Sequence, residues 1–250
     1  NKLSFGFEHK ANEYQWVDVT RPWIGAPIQI NDSTTSPTTS IGSSNEIWNA
    51  KPFNGGFFVS DEIRYRGIIA TLGVRMNYWA PGEFAENAVN DPNSPVLDQV
   101  RKDFMDNTIG IMGRRIKTRI LPKINVSFPV TENNVLYFNY GHSMRLPHPR
   151  FLYAGLDPFY LDRSFLSLLG NPDINPEVNI SYEIGYKTQI TKDIGLTLAA
   201  FTNNRFDYIV NDRVLVEDQT GRQVSRSMFF NQDYARIFGM EGGMSFRYAK

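Results

Sequence analysis

No cysteine occurs among the 250 residues, which excludes a disulfide framework and a thiolate metal site. Excess charge of either sign is also missing, since 26 Lys plus Arg balance 26 Asp plus Glu. A net charge of zero leaves no electrostatic footprint for nucleic acid, so no nucleic-acid partner is expected. Histidine is scarce, limited to His9, His142 and His148. No run of about 18 apolar residues exists, and a transmembrane helix is excluded. Membrane-spanning strands are not, because a barrel strand needs only about 9–11 alternating residues. The opening stretch, NKLSFGFEHK, has no initiator Met and no signal-peptide pattern, and reads as a processed piece or fragment entering directly on a strand.

What the chain does have is aromatic residues, at 14%, and two-residue periodicity. Side chains alternate faces along a strand, so strict apolar–polar alternation marks a two-sided strand. Leu3, Phe5 and Phe7 oppose Lys2, Ser4, Gly6 and Glu8, in a strand expected to run to about Val19. A strand from Gly55 to Tyr65 turns at Arg66–Gly67 into one that groups Ile68, Ala70, Leu72, Val74, Met76 and Tyr78. Ile124, Val126, Phe128 and Val130 alternate up to the turn TENN, and Leu136, Phe138 and Tyr140 resume the pattern. Ile180, Tyr182, Ile184 and Tyr186 oppose Asn179, Ser181, Glu183, Gly185 and Lys187. A strand over Leu196–Val210 and a last one grouping Phe238, Met240, Met244 and Phe246 bring the count to roughly eight.

The connections alternate long, short, long, short, long, short, long. Residues 21–52 form a polar Ser/Thr/Asn/Pro loop. Residues 80–115 hold one short helix, which Ser94 caps and Pro95 opens, with Val96, Val100 and Phe104 at helical spacing. Residues 144–177 are dense in Pro, Leu and aromatics, and residues 211–227 form a fourth, polar loop. In an up-and-down array alternate connections lie at opposite ends, so all long loops share one end. Outer-membrane barrels have this asymmetry, whereas structureless loops over about 15 residues are uncommon in compact soluble domains. The expected fold is therefore all-β, an antiparallel up-and-down transmembrane β-barrel segment with long extracellular loops. Apolar faces meet lipid and polar faces line a lumen. Alternation by itself also permits a soluble sandwich, with the apolar faces packed together.

Three stretches resemble the C-terminal half of TonB-dependent outer-membrane transporters. One is GNPDINPEVNISYEIGYKTQITKDIGLTLAAFTNN, with Gly170, Asn171, Pro172, Pro176, Glu177, Ser181, Tyr182, Glu183 and Gly185 at the family's pattern positions. Another is FFNQDYARIFGMEGG, with Asn231, Ala235, Gly239 and Glu241. The third, PKINVSFPVTENNVLYFNYGHSMRLPHPRFLY, resembles the Oar-like branch, whose members carry a carboxypeptidase-regulatory-like domain near the N-terminus. The resemblance covers about Pro122 to the end. It implies a location in the outer membrane of Gram-negative, Bacteroidota-type bacteria and a share of a larger, 22-stranded barrel. The remaining strands, the plug and the TonB-contacting segment are absent from these 250 residues. It also implies transport driven by the TonB–ExbB–ExbD motor through the plug, in either direction, with outer-membrane lipid around the wall. A SusC-like glycan importer, with a surface lipoprotein partner, is a variant of the same reading. A plugless porin or passive channel and a soluble β-rich binding or adhesion module are the alternatives from other classes.

No cofactor is implied and no enzyme is expected. Ser143 next to His142 would point to opposite faces of a strand, and nothing suggests a third, orienting group. Asp91, Asn93 and Asp98 cluster without the spacing of a calcium loop. Pro172 and Pro176 keep the third loop out of the ladder until Glu177 opens a strand. Gly239 and Gly243 leave room on the lumen side for a plug. The third loop offers Arg145, His148, Arg150, Tyr153, Phe159 and Tyr160 as cargo contacts, because Arg and aromatic residues are favoured at binding surfaces. Its other reading is a lid over the lumen, folded by Phe151, Leu152, Phe165, Leu166 and Leu168.

Overall fold

A computed structural model describes residues 1–19, 27–31, 34–40, 45–158, 168–217 and 221–247; for 18–19, 27–31, 34–40, 45 and 233 it describes the backbone only. The strands in chain order are β1 (Lys2–Ala11), β2 (Tyr14–Val19), β3 (Pro27–Asn31), β4 (Thr34–Ser40), β5 (Asn45–Ala50), β6 (Phe53–Tyr65) and β7 (Ile68–Ala80). Helices α1 (Glu83–Asn90) and α2 (Asp98–Asn107) precede β8 (Ile109–Ile111), β9 (Arg114–Thr131) and β10 (Asn134–Arg145). Helix α3 (Pro149–Tyr153) leads to β11 (Leu168–Leu169), β12 (Glu177–Thr191), β13 (Ile194–Glu217) and β14 (Gln223–Phe246).

Eight long strands form one open antiparallel meander in the order β1-β6-β7-β9-β10-β12-β13-β14. No second layer covers its apolar face among the described residues. Phe5 is 82% exposed and Met240 76%, and Leu72, Val74, Met76, Ile184, Leu198 and Phe238 are exposed beside them. A soluble sandwich would bury those rows. Phe7 packs on Phe57 and Tyr140 on Tyr182 across strands of this face, in pairs whose ring contacts favour the register. From Tyr65, beside the tight turn, to Gly55, under the Tyr78 ring, β6 rises ten residues, about 33 Å along the strand. At a tilt of about 40° that is about 25 Å of height, the thickness of a barrel's apolar band. His9 Nδ1 and the Tyr78 hydroxyl, 2.7 Å apart, mark its upper border. A carboxylate interrupts the lower part of the band. Asp61 lies between Leu3 and Leu72 on the apolar face, and its Oδ1 is buried without a hydrogen-bond donor.

The polar face carries Glu8, Arg75 and Asn77, joined by Arg75–Glu8 (2.8 Å) and Arg75–Asn77 (2.5 Å) bonds. Two glycines of the family pattern are occupied by their neighbours' rings. The Tyr137 ring fills the place of a Gly185 side chain, and the Phe201 ring that of Gly239. The room expected for a plug at Gly239 is thus taken by the wall itself, while nothing lies near Gly243.

Further expectations change. The first strand stops at Ala11, where the Asn12 N–H donates to Pro52 O (3.0 Å) and the chain leaves the wall. Tyr14–Val19 instead pairs with Asn45–Ala50, so the first polar loop contains two small hairpins, β2–β5 and β3–β4. The second loop has two helices, and with α3 the total among the described residues is three, not one. Helix α2 starts at Asp98, later than expected, after the Pro92–Pro95 segment. Ser94 does not cap it; its hydroxyl donates to Ala88 O at the end of α1. Finally, residues 211–227 are not a loop. β13 and β14 pair all the way from Ile194↔Phe246 to Glu217↔Gln223. Each is 24 residues long, about 80 Å of strand, and rises well past the wall. Polar composition misleads there because a hairpin standing in water needs an apolar side only where it packs.

The main buried core lies in the long loops, not in the sheet. Ala88, Val89, Val96, Val100, Phe104, Leu156, Leu169, Val216 and Met228 form one cluster, uniting α1, α2, the third loop and the projecting hairpin. Trp48, Ala50, Ala85 and Tyr153 form a second.

Candidate functional site

The long-loop end is where the chain concentrates buried polar groups. Its hub is Lys117, near the upper end of β9 and 4% exposed. Its Nζ donates to Asp173 Oδ1 (2.6 Å), Asp173 O (2.6 Å) and Asn175 Oδ1 (2.9 Å). Asn107 Nδ2 of α2 donates to the other Asp173 oxygen (3.0 Å). A buried ammonium needs this full set, since an unpaired one would be strongly disfavoured.

The motif residues build the same joint. The Asn171 side chain donates to Phe229 O (2.9 Å) and accepts from the Asp173 N–H (2.9 Å). Gly170 N–H donates to Ala154 O (2.6 Å), and a side chain at Gly170 would strike Leu152 O. Pro172 and Pro176 are fully buried. Asn231 on β14 accepts from the Asn175 N–H (2.7 Å) and donates to Asn175 O (3.0 Å) and Asp207 O (2.8 Å). Asp207, with φ 56°, sits at a break in the β13–β14 ladder, and its carboxylate meets Arg119 (3.0 Å). Glu177 accepts weakly from the Ile209 N–H (3.5 Å). Below the joint, Tyr182 lies on the apolar face against Tyr140, whereas Glu183, Ala235 and Glu241 stand on the polar face.

The loop residues separate. Arg145 is exposed at the rim opposite Glu177, in a polar groove with Ser143, Asn179, Asn203 and Arg205. His148 is exposed, and its ring accepts from the Arg150 N–H (3.2 Å) at the start of α3. The Arg150 guanidinium lies over the Trp16 ring, 5.4 Å from its centroid. Tyr153 is 1% exposed; its ring packs on Trp48 and its hydroxyl donates to Pro81 O (2.7 Å). Burial pushes the Tyr153 hydroxyl pKa up. Phe159 and Tyr160, like Phe165 and Leu166, lie outside the described residues. Arg145 and Arg150 thus belong to different surroundings, and Tyr153 to the loop core.

Ser143 faces the groove and His142 the other side, where Nε2 is 2.7 Å from the Tyr140 hydroxyl. Asp91 accepts from the Asn93 N–H (2.9 Å), while Asp98 lies 4.0 Å from Arg101. Lys117, Asp173, Asn175 and Asp207 carry no periodic signal, and only their convergence singles them out.

A single-layer sheet with one apolar face, all helices at one end and a folded loop cap is the geometry of a transmembrane barrel wall. The family model "TonB dependent receptor-like, beta-barrel" matches residues 1–249. The chain belongs to the TonB-dependent receptor β-barrel family. No curated protein sequence matches it. Among solved structures it is similar to the ferric enterobactin receptor PfeA in complex with BCV-L6 (TM-score 0.60, 16% identity, 96% of this chain and 30% of that one). A PfeA mutant from Pseudomonas aeruginosa superposes with TM-score 0.58, at 16% identity over 96% of this chain and 30% of that one. The FrpB iron transporter of Neisseria meningitidis, in its apoprotein form, gives TM-score 0.54 at 15% identity over 99% of this chain and 31% of that one. The chain therefore spans about a third of the length of these TonB-dependent receptors. At such identities the likeness carries the fold. The Oar-like branch rests on the residues of 122–153 alone.

Proposed function

We propose that the chain is part of the wall and extracellular mouth of an energised outer-membrane transporter. The observation that supports this most is the bare apolar face. Rows such as Phe5, Met76, Ile184 and Met240 are exposed along one side of a single sheet, which water would disfavour and acyl chains accept. The chain then serves as one segment of a larger closed barrel, because open strand edges are not tolerated in lipid. It does no bond chemistry. Its polar side forms a lumen wall, and its loop cap contributes to cargo capture.

On the lumen wall Glu183 and Glu241 stand on β12 and β14, two strands apart, and no cation forms an ion pair with either among the described residues. A plug seated there would present cations to them, and would link the wall to the TonB–ExbB–ExbD motor. A surface lipoprotein lid belongs to the SusC-like variant of this reading.

The test uses the full-length protein in cells, with single cysteines placed in this cysteine-free stretch. Met240→Cys and Ile184→Cys should resist a water-soluble maleimide, while Glu241→Cys and Asn179→Cys react. Equal labelling of all four would reject the transmembrane reading. Uptake supported by the full-length protein should vanish in cells lacking TonB; uptake that persists would favour a passive channel.

A further inference from the structure

The loop cap contains three buried hydrogen-bond donors without an acceptor, and all belong to one cluster. They are Trp16 Nε1, Trp48 Nε1 and Arg150 Nε. Trp16 and Trp48 are directly paired across β2 and β5, their rings stacked at 5.8 Å and 7°. Arg150 lies on the Trp16 ring from the α3 side. Trp48 is 3% exposed, so its N–H has no bulk water to compensate it. Buried donors are nearly always paired, and each exception needs a reason.

The charge count at this place points the same way. Acidic groups of the cap are engaged: Glu46, buried on β5 two residues from Trp48, with the Gly155 N–H, Glu83 and Glu86 with Arg114, Asp173 with Lys117, and Glu13 with Asn49 and Lys51. The Arg150 guanidinium has no carboxylate partner among the described residues; the residue bonds through its backbone, with its N–H donating to His148 and its carbonyl accepting from Ala154. A half-buried guanidinium on an aromatic face, with two unpaired indole N–H groups beside it, is a cluster of unused donors. Guanidinium binds planar oxyanions through paired N–H bonds, and stacking on Trp holds its plane without using those hydrogens. Leu152 and Tyr153, which closely follow Arg150 in the chain, border a small crevice with Tyr14, Pro52, Trp79, Leu146 and Pro149, whose lining does not include the three donors themselves. That crevice would take an apolar portion of the same molecule.

We propose that Arg150, Trp16 and Trp48 form an oxyanion-binding site in the loop cap, for a carboxylate, sulfate or phosphate group carried on a partly apolar ligand. The proposal rests on the long-loop end being the extracellular, cargo-facing end. The oxyanion has two sources, a free cargo molecule or the phosphates of the surrounding outer-leaflet lipid.

The experiment is a titration of full-length, indole-15N-labelled protein in neutral detergent, with Trp16→Phe and Trp48→Phe used to assign the two resonances. Sodium sulfate and sodium phosphate are compared with sodium chloride at matched ionic strength, and purified lipid A is a separate arm. Saturable shifts of both indole N–H resonances with sulfate or phosphate, absent with chloride, are expected. Arg150→Gln should weaken them about tenfold or more, and Arg150→Lys should restore part of the affinity. Without ligand, the Trp79 resonance, unchanged in both variants, reports that the crevice against the cap is still folded. Shifts with lipid A but not with the free anions would assign the site to the lipid headgroup. Shifts no larger than those of chloride in every arm, or shifts that survive in Arg150→Gln, would overturn the proposal. That failure would leave the transport reading intact, since the maleimide and TonB tests do not involve this cluster.

Discussion

Lys117→Met tests whether the loop cap is a rigid body pinned to the wall. The substitution keeps the length of the side chain and removes the ammonium that Asp173 and Asn175 share. Breaking a buried pair on one side costs about 3–5 kcal/mol, because the remaining charge stays desolvated. Asp173 keeps the Asn107 donor, which favours the lower end, about 3 kcal/mol. The loss falls on the joint of residues 170–176 and not on the ladder, where β9 keeps its pairing with β7 and β10. A local change of about 3 kcal/mol multiplies the opening equilibrium by about 160-fold. Amide exchange on the full-length protein in detergent should therefore accelerate by that factor over residues 150–154 and 170–176, with the β12 amides below Tyr182 unchanged. Lys117→Met combined with Asp173→Asn should recover part of the protection. Exchange within threefold of wild type would show that the joint does not hold the cap.

Three further outcomes follow from the same geometry. Asp61→Leu should raise stability against urea by about 1–2 kcal/mol, since an unpaired carboxylate oxygen leaves the lipid-facing row; a loss would mean that Asp61 has a partner in the assembled barrel. Gly185→Ala should destabilise by about 1–3 kcal/mol by forcing the Tyr137 ring out of its place, and Tyr137→Ala on the same background should relieve it; additive effects would contradict the contact. For Tyr153, whose folded pKa lies above its ordinary value of 10, ionisation favours the open cap. The stabilisation is complete below about pH 10 and is lost as pH rises toward the folded value, so loop protection should fall there in wild type and less steeply in Tyr153→Phe; parallel profiles would refute it.

The strand faces were legible because alternation has a period of two and each residue reports its own side. That is why Leu72, Val74 and Met76, or Phe238, Met240 and Met244, could be grouped from their spacing and are found exposed together. Tight turns at Arg66–Gly67, at 132–133 and at 192–193 were legible for the same local reason. Helix α1 was missed although Ala85, Ala88 and Val89 have helical spacing, because eight residues after Pro81 and Gly82 give a weak signal. The upper halves of β13 and β14 were missed because a hairpin in water tolerates Asn211, Asp212 and Arg213 in mid-strand.

By itself the sequence determined which side of each strand is apolar and which connections are tight, and a resemblance carried by Asn171, Pro176, Glu183 and Gly239 pointed to the family that the whole-chain match shows. Those are properties of neighbouring residues or of short fixed spacings. Tertiary structure alone decided that the loops fold into a core, that Lys117 meets Asp173 across 56 residues, and that Arg150 comes to rest on Trp16. Such contacts join segments far apart in the chain, where no periodicity links the partners. They exist only because the sheet fixes where each loop begins and ends.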